Sequence, residues 1–526
     1  MRLAQTARRR ALALALAALS LGATVGCGGG GPAGSHASPA PQSVNTSPSA
    51  PTAPAPSGRP NIVFVLTDDL SMNLLRFMPH VQAMQRHGLT FADYFVSDSL
   101  CCPSRASIFT GELPHDTHVF SNFGPRAGFR TFYRRGEERR TFAIALQRQG
   151  YLTAMMGKYL NGYMGYGARV ADGSAAGIPP NYVPPGWSEW DVAGWGYPEF
   201  RYTLNQDGAL RRYGRRPSDY LTDVLAREGL AFIRRAARSG RPFLLELATF
   251  APHYPYVPAP RDARDFPRLR APRPPSFDVL PTRAPRWLAG HPPLTAREEA
   301  QIDRVFRLRA RSVQAVDRMI GEIQAALRAL GIAGNTYLVF SSDNGLHTGE
   351  YRLMPGKLTA FDTDIRVPLV VTGPGVPAGA RTDAMAENID LAETFAAIGG
   401  TTLPGDGRSL LALLQGRRPP GWRDAVLVEH HGPRLSIFDP DFQQGASGTP
   451  TTYEALRTRR LLYVEYADGE RELYDLRADP FELHNIAYRL TPTARRRLHA
   501  ELRAMERCHG RRACWRAMHV RPVPGI

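Results

Sequence analysis

The chain has 526 residues, a mass of 58.0 kDa, a formal net charge of +17 and a hydrophobic content of 43%. This length allows one large domain with a smaller one, and the composition is typical of a folded globular protein rather than a disordered chain. The positive charge would attract a polyanionic partner. However, the sequence has no zinc-finger, helix-turn-helix or RNA-binding signature, and we therefore expect no nucleic acid partner.

An arginine-rich composition explains most of the charge. Only two of the 65 basic residues are lysine, Lys158 and Lys357. An ammonium group is a compact point charge, whereas a guanidinium group is a wide planar fork. A site that contacts a small tetrahedral oxyanion would tolerate only the ammonium group, which makes both lysines candidate site residues. The alternative is that two surface lysines remain by chance.

Residues 1–27 predict an export signal, because a charged start is followed by an apolar stretch over 11–21 that is too short to span a membrane. The residues that end at Cys27 are similar to a lipoprotein cleavage site, which predicts a lipid on Cys27. Residues 28–59 are rich in Gly, Ala, Pro and Ser and predict a flexible linker. We expect a protein outside the cytoplasm, secreted or lipid-anchored at the cell surface, that contacts the membrane only through this anchor.

Apolar runs and amphipathic segments alternate along the next part of the chain. The continuous run over 61–67, rich in β-branched residues, predicts a buried strand of a parallel sheet. Thr295 and Glu298 predict a capping box at the start of a long helix that ends at Leu330. The alternation predicts an α/β sheet with helices on both faces. The other predicted elements are helices over 79–87 and 142–149 and strands over 151–156, 243–249, 336–342 and 367–372.

Polar side chains follow three of these strands where each strand ends. Open α/β sheets place their sites at this edge, so we expect these side chains to lie together. Their carboxylate and amide oxygens are hard donors that suit calcium or magnesium. Alone, an Asp-Asp pair is more often a cap and Asp-Asn-Gly a tight turn. The residues are Asp68, Asp69, His253, Asp343 and Asn344.

Two Pro- and Gly-rich stretches, 174–199 and 251–294, predict long surface loops with little regular structure. The aromatic-rich segment 187–202 offers rings that would stack on a sugar or an aryl group. The alternative is that these rings pack a loop.

The C-terminal part has a different pattern. Short strands are predicted over 425–429, 461–465 and 472–476, with a helix over 492–505, which indicates a small antiparallel sheet with a packed helix. Cys508 and Cys514 bracket a short loop, and in an exported protein we expect them to pair. We therefore divide the chain into an export signal (1–27), a linker (28–59), a catalytic domain (60–420) and a C-terminal subdomain (421–526).

The strongest signal is the run Cys101-Cys102-Pro103-Ser104-Arg105, with Thr110-Gly111 after it. It resembles the Cys-x-Pro-Ser-Arg-x-x-x-x-Thr-Gly signature of the type I sulfatases. The run that begins at Ser99 is similar to the N-acetylglucosamine-6-sulfatase branch. In this register Cys101 is the functional cysteine and Cys102 the variable residue. The cysteine pair alone would predict buried thiols or a vicinal disulfide.

The resemblance implies an alkaline-phosphatase-like fold with a mixed, mostly parallel sheet. It implies that a formylglycine-generating enzyme oxidises Cys101 to formylglycine (3-oxoalanine). The hydrated aldehyde has two hydroxyls: one attacks sulfur, and the other then expels sulfate. The resemblance also implies a bound Ca2+, or Mg2+, with the ligands Asp68, Asp69, Cys101, Asp343 and Asn344.

The resemblance assigns further roles. Arg105 and Lys158 would flank the diol and Asp343 would act as its base, while His253 and Lys357 would contact the sulfate and protonate the leaving alcohol. Many sulfatases have Gly-Lys-x-His, but here leucine stands in the place of the histidine, which leaves the base for sulfate expulsion unassigned. Candidates for that base, each more often structural, are Asn161, His118 and His347; the leucine is Leu160.

The implied function is hydrolysis of sulfate monoesters, with a sulfated carbohydrate such as a 6-O-sulfated amino sugar of a glycosaminoglycan, or an aryl sulfate, as substrate. One alternative is a phosphate or phosphonate monoester hydrolase on the same scaffold. Another is a non-catalytic lipoprotein that binds sulfated glycans. Retention of Cys101, both lysines and the four oxygen ligands argues against the second alternative.

Overall fold

A ten-stranded mixed sheet forms the centre of the described residues. The computed structural model describes residues 58–124, 126–165, 177–432, 439, 441 and 445–521. The predicted export signal, Cys27 and nearly all of the predicted linker lie outside these residues.

The strands of the described residues belong to the main sheet and to two smaller ones. They are β1 Asn61–Thr67, β2 Leu89–Phe91, β3 Tyr94–Phe95, β4 Leu152–Lys158, β5 Glu189–Ala193, β6 Thr203–Gln206, β7 Ala209–Arg212, β8 Phe243–Ala248, β9 Thr336–Ser342, β10 Leu369–Thr372, β11 Ala380–Thr382, β12 Ala386–Glu387, β13 Ala425–His430, β14 Tyr453–Thr458, β15 Leu461–Tyr466 and β16 Arg471–Asp475.

The strand order across the ten-stranded main sheet is β11-β2-β10-β9-β1-β8-β4-β5-β6-β7. The neighbours from β9 to β5 are all parallel, whereas β10 and the β6–β7 hairpin add antiparallel pairs on either side. The helices are α1 Pro79–His87, α2 Cys101–Thr110, α3 Pro114–Thr117, α4 Gly128–Arg135, α5 Phe142–Arg148, α6 Leu221–Ser239, α7 Arg286–Ala289, α8 Ala296–Ala329, α9 Asp362–Ile365, α10 Asp390–Ile398, α11 Leu411–Leu414, α12 Pro492–Glu506 and α13 Arg511–Ala517.

Helices cover both faces of the sheet, as predicted. Every residue of β1 is buried, and alternate side chains enter two different cores. Ile62 and Phe64 pack towards α2, α5 and α10, whereas Val63 and Val65 pack towards α1, α6 and α8. A strand buried on both faces needs a continuous apolar run, which is why the pattern at 61–67 identified it.

The C-terminal strands form a separate antiparallel sheet in the order β13-β14-β15-β16. Leu427 and Tyr463 of this sheet pack against Leu498 and Leu502 of α12, which confirms the predicted sheet with a packed helix. A disulfide joins Cys508 and Cys514, as expected. The core on one face of the main sheet also includes Val426 and Tyr453, so the two sheets share buried contacts.

One predicted loop is wrong. The stretch 174–199 contains strand β5, which pairs with β4 in the main sheet. Trp190 of β5 is fully buried, with its ring centroid 5.1 Å from that of Tyr159. Burial of this large aromatic side chain against the sheet outweighs the Gly and Pro content of the flanking residues.

The capping box at the start of α8 is present as predicted. The Glu298 N–H donates to Thr295 Oγ1 over 3.3 Å, and the Thr295 N–H donates to Glu298 Oε2 over 2.8 Å. We expect Thr295→Ala to lower the free energy of unfolding by about 1 kcal/mol, because it removes the acceptor of a helix N–H. Chemical denaturation measures this loss. Thr295→Ser keeps the acceptor and should cost much less, and an equal cost for the two variants would contradict the assignment.

Candidate active site

The Asp68-Asp69 pair and the Asp343-Asn344 pair meet at one edge of the main sheet. Asp68 and Asp69 follow β1, Asp343 and Asn344 follow β9, and the last residues of these parallel strands are in register. The Asp69 N–H donates to Asp343 Oδ1 over 3.1 Å, and Asn344 Nδ2 donates to Asp69 Oδ1 over 2.7 Å. Side chains separated by 274 and 275 positions therefore form one cluster.

Cys101 lies beside this cluster as the first residue of α2. Its Sγ lies 3.1 Å from Asp68 Oδ1, and one ligand atom each of Asp68, Asp69, Cys101 and His253 lie within 4.8 Å of one another. Cys101 is fully buried. Burial, together with Asp441 and Asp68, raises the pKa of the Cys101 thiol well above its usual value. An unmodified thiol here is protonated near neutral pH and is a poor nucleophile.

Cys102 points away from the carboxylates into the core between the sheet and its helices. Both cysteines are free in the structure, so the vicinal disulfide is not formed. The pair therefore has one member in the polar cluster and one in the apolar core. This division agrees with the register in which Cys101 is the functional residue.

Arg105 lies one helical turn after Cys101 and contacts three elements of the cluster. Its Nε donates to Asp343 Oδ2 over 2.7 Å, its Nη1 donates to the Lys158 carbonyl over 2.9 Å, and its Nη2 lies 3.9 Å from Asp68 Oδ1. Burial opposes ionisation of Asp343, but Arg105 and the two lysines hold its pKa at about 2. Such a carboxylate is a weak base, and this favours a role for Asp343 as a ligand.

Both lysines of the chain lie in this cluster. Lys158 Nζ is 2.5 Å from Asp68 Oδ2, and Lys357 Nζ is 2.6 Å from Asp69 Oδ1 and 2.8 Å from Cys101 Sγ. They are only 3% and 1% exposed. Burial disfavours the charge, but the nearby carboxylates outweigh this and raise the pKa of each ammonium group well above its usual value. Two fixed positive charges therefore lie next to residue 101.

Sequence reasoning missed Asp441. Its Oδ1 lies 2.5 Å from His253 Nε2 and 2.7 Å from Lys357 Nζ, and its Oδ2 accepts from Asn122 Nδ2 over 2.5 Å. Burial opposes protonation of His253, but Asp69 and Asp441 raise its pKa to about 9. Asp441 belongs to no predicted strand or helix, and no motif marked it.

The donor set fits a hard divalent cation. The carboxylates of Asp68 and Asp69 lie close together, Asp343 accepts a hydrogen bond from the Asp69 N–H, and oxygen is the donor that calcium and magnesium prefer. Asn344 provides a further observation: its amide nitrogen donates to Asp69, whereas its buried Oδ1 has no hydrogen-bond partner among the described residues. A buried acceptor without a donor is costly, and a cation would satisfy it.

We expect calcium to raise the thermal unfolding temperature of chelator-treated protein, because a ligand that binds only the folded state stabilises it. At a concentration about 100 times its Kd, the stabilisation is about 2.7 kcal/mol. Differential scanning fluorimetry with and without calcium measures the shift. The Asn344→Ala variant should show a smaller shift, and an unchanged shift in that variant would remove Asn344 from the ligand set.

The three candidates for the base of sulfate expulsion, His347, Asn161 and His118, lie in different surroundings. His347 Nδ1 lies 3.0 Å from Asp364 Oδ1 and its Nε2 lies 3.1 Å from the Ser447 carbonyl, so both ring nitrogens have partners. Leu160, which stands in the place of the histidine of the family pattern, lies in the apolar core. Asn161 Nδ2 donates to the Tyr197 hydroxyl over 3.3 Å. His118 has left-handed backbone geometry, with φ of 55°, at the end of the short helix α3.

A cavity of about 880 Å³ opens above the cluster, with Asp69, His253 and Lys357 in its lining. The aromatic segment divides at this point. Trp195 and Tyr197 line the cavity, whereas the residues before them pack in the core or against it. The packing interpretation is confirmed for Trp187 and Trp190, whereas stacking of Trp195 on a substrate ring stays a prediction.

Residues 60–401 match the family model described as Sulfatase, and residues 349–507 match the model described as N-sulphoglucosamine sulphohydrolase, C-terminal. The chain belongs to the sulfatase family. The resemblance found in the signature run is thus confirmed, and the second match places Asp441 of this sulfatase in a region shared with sulfohydrolases.

Two curated relatives match this sulfatase over most of its length. Human N-acetylglucosamine-6-sulfatase is 34% identical over 481 residues, which cover 86% of this chain and 85% of the human protein. The N-acetylglucosamine-6-sulfatase of Capra hircus is 35% identical over 483 residues, which cover 86% and 84%. The protein is therefore an enzyme, a sulfatase that hydrolyses sulfuric esters.

Solved structures show the same fold. A protein in complex with its substrate D-glucosamine-2-N,6-O-disulfate has a TM-score of 0.66 and 21% identity, and the match covers 85% of this chain and 97% of that one. The phosphonate monoester hydrolase of Agrobacterium radiobacter has a TM-score of 0.63 and 23% identity, with 85% and 96% covered. The predicted alkaline-phosphatase-like fold is confirmed, and the fold alone does not separate these activities.

Proposed function

We propose that this sulfatase removes sulfate from a 6-O-sulfated amino sugar, with formylglycine at position 101 as nucleophile and a divalent cation beside it. The observation that carries the proposal is the position of Cys101. Its sulfur lies 3.1 Å from Asp68 Oδ1 and 2.8 Å from Lys357 Nζ. The signature cysteine thus adjoins both the candidate cation ligands and a fixed ammonium group, where an attacking oxygen would be activated.

The substrate class follows from the relatives and from the cavity. The curated relatives with 34% and 35% identity are N-acetylglucosamine-6-sulfatases. Trp195 in the cavity wall is half-buried and offers an aromatic face, which suits the apolar face of a sugar ring and also an aryl group. We therefore propose a sulfated amino sugar as the natural substrate and an aryl sulfate as a substitute.

Residue 101 and its neighbours would divide the chemistry between them. Once Cys101 is oxidised, the hydrated aldehyde supplies one hydroxyl to attack sulfur and a second to expel sulfate afterwards. Lys158 and Lys357 place positive charge on two sides of this point and stabilise the negative charge on the transferred group. Arg105 fixes the Asp343 carboxylate through its 2.7 Å hydrogen bond.

His253 is the proposed proton donor to the leaving oxygen. Its Nε2 lies 3.6 Å from Asp69 Oδ2, and both residues line the cavity. The ester oxygen that leaves would face the cavity, because the sugar must lie there. A proton from His253 would convert the departing alkoxide into a neutral alcohol, which is the usual contribution of a general acid.

Asp68, Asp69, Asp343 and Asn344 would hold Ca2+ or Mg2+, with residue 101 as a further ligand. When bound, the cation would neutralise sulfate oxygens and favour the ionised form of the attacking hydroxyl.

Maturation and location complete the proposal. A formylglycine-generating enzyme in the producing cell would convert Cys101, and export would place the enzyme outside the cytoplasm, secreted or held by a lipid on Cys27. Within the part of the chain that the structure describes, no helix combines the length and apolar character needed to cross a membrane.

A comparison of substrates tests the function. We expect the purified, matured protein to release sulfate from N-acetylglucosamine 6-sulfate and from 4-nitrophenyl sulfate, and to act much more slowly on 4-nitrophenyl phosphate. Ion chromatography of the released anion measures each rate. A phosphate ester turned over faster than both sulfate esters would favour the phosphohydrolase alternative, and binding of a sulfated glycan without any turnover would favour the non-catalytic one.

A further inference from the structure

The active-site cluster and the first residues of the parallel strands lie at opposite edges of the main sheet. Asp68 and Asp343 follow the carboxyl ends of β1 and β9. Strands β9, β1, β8 and β4 are parallel neighbours, so their first residues form the other edge, about 20 Å away along the seven residues of β1. We call the segments that lead into these four strands the amino edge: 58–60, 147–151, 238–242 and 328–335.

The amino edge is strongly basic. Its four segments contain five arginines and no Asp or Glu, and all five arginines are exposed. The neighbouring strand β5 begins with Glu189, whose carboxylate pairs with Arg235 over 2.6 Å. Five positive charges therefore face solvent along one edge of the sheet. The arginines are Arg59, Arg148, Arg238, Arg241 and Arg328.

Two of these arginines join the segments to one another. Arg59 Nη1 donates to the Gln149 carbonyl over 2.6 Å, and Arg241 Nη2 donates to the Gly150 carbonyl over 2.9 Å. The other three lie in the last turns of α5, α6 and α8. A positive charge there also stabilises the helix dipole, which is the structural alternative for those three side chains.

A small cavity of about 160 Å³ beside the amino edge suits a phosphate group. Three arginines and three threonines line it, and its described lining contains no Asp or Glu. Arg140 is paired with Glu112 and Glu137. Within the part of the chain that the structure describes, no hydrogen bond engages the side chain of Arg139 or Arg148. The cavity therefore offers guanidinium and hydroxyl donors to phosphate oxygens.

The chain enters the described domain at this edge, because Arg59 lies two residues before β1. Residues 1–57 contain no Asp or Glu, so they bring no acidic side chain to the arginines. A chain from Cys27 to Arg59 spans at most about 115 Å even when it is fully extended. A lipid on Cys27, as proposed above, would keep the amino edge within that distance of a membrane.

Leu330 favours a lipid surface over a sulfated polymer as the partner. This leucine is the C-cap residue of α8, two positions after Arg328, and is 37% exposed. An apolar side chain among basic ones suits the boundary between lipid headgroups and acyl chains. A polyanionic chain is bound through charges and hydrogen bonds and gives this side chain no role.

We propose that the amino edge is a docking surface for anionic lipids, and that docking turns the active-site cavity away from the membrane. A single acyl chain gives only reversible attachment, and a basic surface supplies the second contact that makes it stable. This inference goes beyond the proposed function, and only the meaning of the cavity's direction rests on that function.

Vesicle binding tests the docking surface. The full chain with Cys27→Ala, which excludes the predicted lipid, is mixed with vesicles of phosphatidylcholine alone or of equal parts phosphatidylcholine and phosphatidylglycerol. Flotation measures the partition coefficient. We expect it to be at least about tenfold higher for the anionic vesicles at low ionic strength, and the difference to shrink as salt is added. Equal partition into both vesicles would overturn the proposal.

A triple variant shows whether the amino edge causes the preference. Arg148→Gln, Arg238→Gln and Arg328→Gln together remove three of its charges. Each arginine near an anionic lipid surface strengthens binding about fivefold, so the partition coefficient for anionic vesicles should fall roughly 100-fold. The thermal unfolding temperature checks the fold. Should this variant fail to fold, Leu330→Gln keeps every charge and should still lower the coefficient severalfold.

The matched control removes three exposed arginines at the other end of α8 and beside its first half. Arg264→Gln, Arg268→Gln and Arg297→Gln lower the net charge by the same amount. This control should change the partition coefficient by less than about threefold. Equal losses in the two triple variants would show that the total charge, and not the amino edge, binds the vesicles, and would overturn the proposal.

A fluorescent probe tests the direction of docking. An environment-sensitive dye on Leu330→Cys should shift its emission to shorter wavelength when anionic vesicles are added, whereas the same dye on Arg297→Cys, at the other end of α8, should not. A shift at position 297 alone would overturn the proposed orientation.

Heparin chromatography separates the two kinds of polyanion. A triple amino-edge variant that elutes earlier from heparin but binds anionic vesicles like the wild type would show that the surface holds a sulfated polymer, and would overturn the proposal. None of these measurements uses catalysis. Failure of the proposed sulfatase function would therefore leave their outcome unchanged.

Discussion

The Cys101→Ala variant is expected to lose turnover by roughly 10⁴-fold or more while it keeps its fold, because the group that attacks sulfur is removed. The Cys101 Sγ lies 3.1 Å from Asp68 Oδ1 and 2.8 Å from Lys357 Nζ. Sulfate release from 4-nitrophenyl sulfate measures the loss, and the thermal unfolding temperature reports whether the fold is intact.

Cys102→Ala is the matched control. It removes the same chemical group from the adjacent residue, but Cys102 packs in the apolar core. We expect a loss of about 1 kcal/mol in stability and activity close to that of the wild type. The reverse result, with Cys101→Ala active and Cys102→Ala inactive, would show that the assigned register is wrong.

Lys357→Arg is expected to reduce kcat by roughly 10²-fold although the charge is kept, a loss comparable to removal of one donor at a transition state. The ammonium group fits between three partners, Asp69, Asp441 and Cys101, at distances of 2.6 to 2.8 Å. A guanidinium group is wider and planar and cannot occupy this buried point without displacing one of them.

Steady-state kinetics of Lys357→Arg and Lys357→Gln make the comparison. Lys357→Gln loses the charge as well and should be slower still. A Lys357→Arg variant with the kcat of the wild type would contradict the special role assigned to the ammonium group. The near absence of other lysines from the sequence would then be chance.

The fold was predictable where a strand is buried on both faces. The observed bounds of β1 and β9 equal the predicted ranges 61–67 and 336–342, because each strand has a continuous apolar run at its centre. Strands β2 and β11 have three residues each and leave no such pattern. Helix α2, which carries the signature, was also missed. All ten of its residues are buried, so it lacks the one-sided periodicity that identifies a surface helix.

Some site residues could likewise be predicted from the sequence and others could not. Residues that follow strong strands, such as Asp68 and Asp343, could be placed together from the rule that parallel strands end at one edge. Asp441 could not, because its contact with His253 joins positions 188 residues apart and no predicted strand or helix leads up to it. The long helix α6 was missed although its apolar residues recur at helical spacing.

The mass of the peptide that spans residues 87–105, isolated from catalytically active protein, tests the central claim most directly. Conversion of Cys101 to formylglycine lowers this mass by about 18 Da relative to the encoded sequence. We predict that the converted fraction rises in proportion to the specific activity across preparations made with and without a formylglycine-generating enzyme. Full sulfatase activity in a preparation whose residue 101 remains an unmodified cysteine would contradict the account.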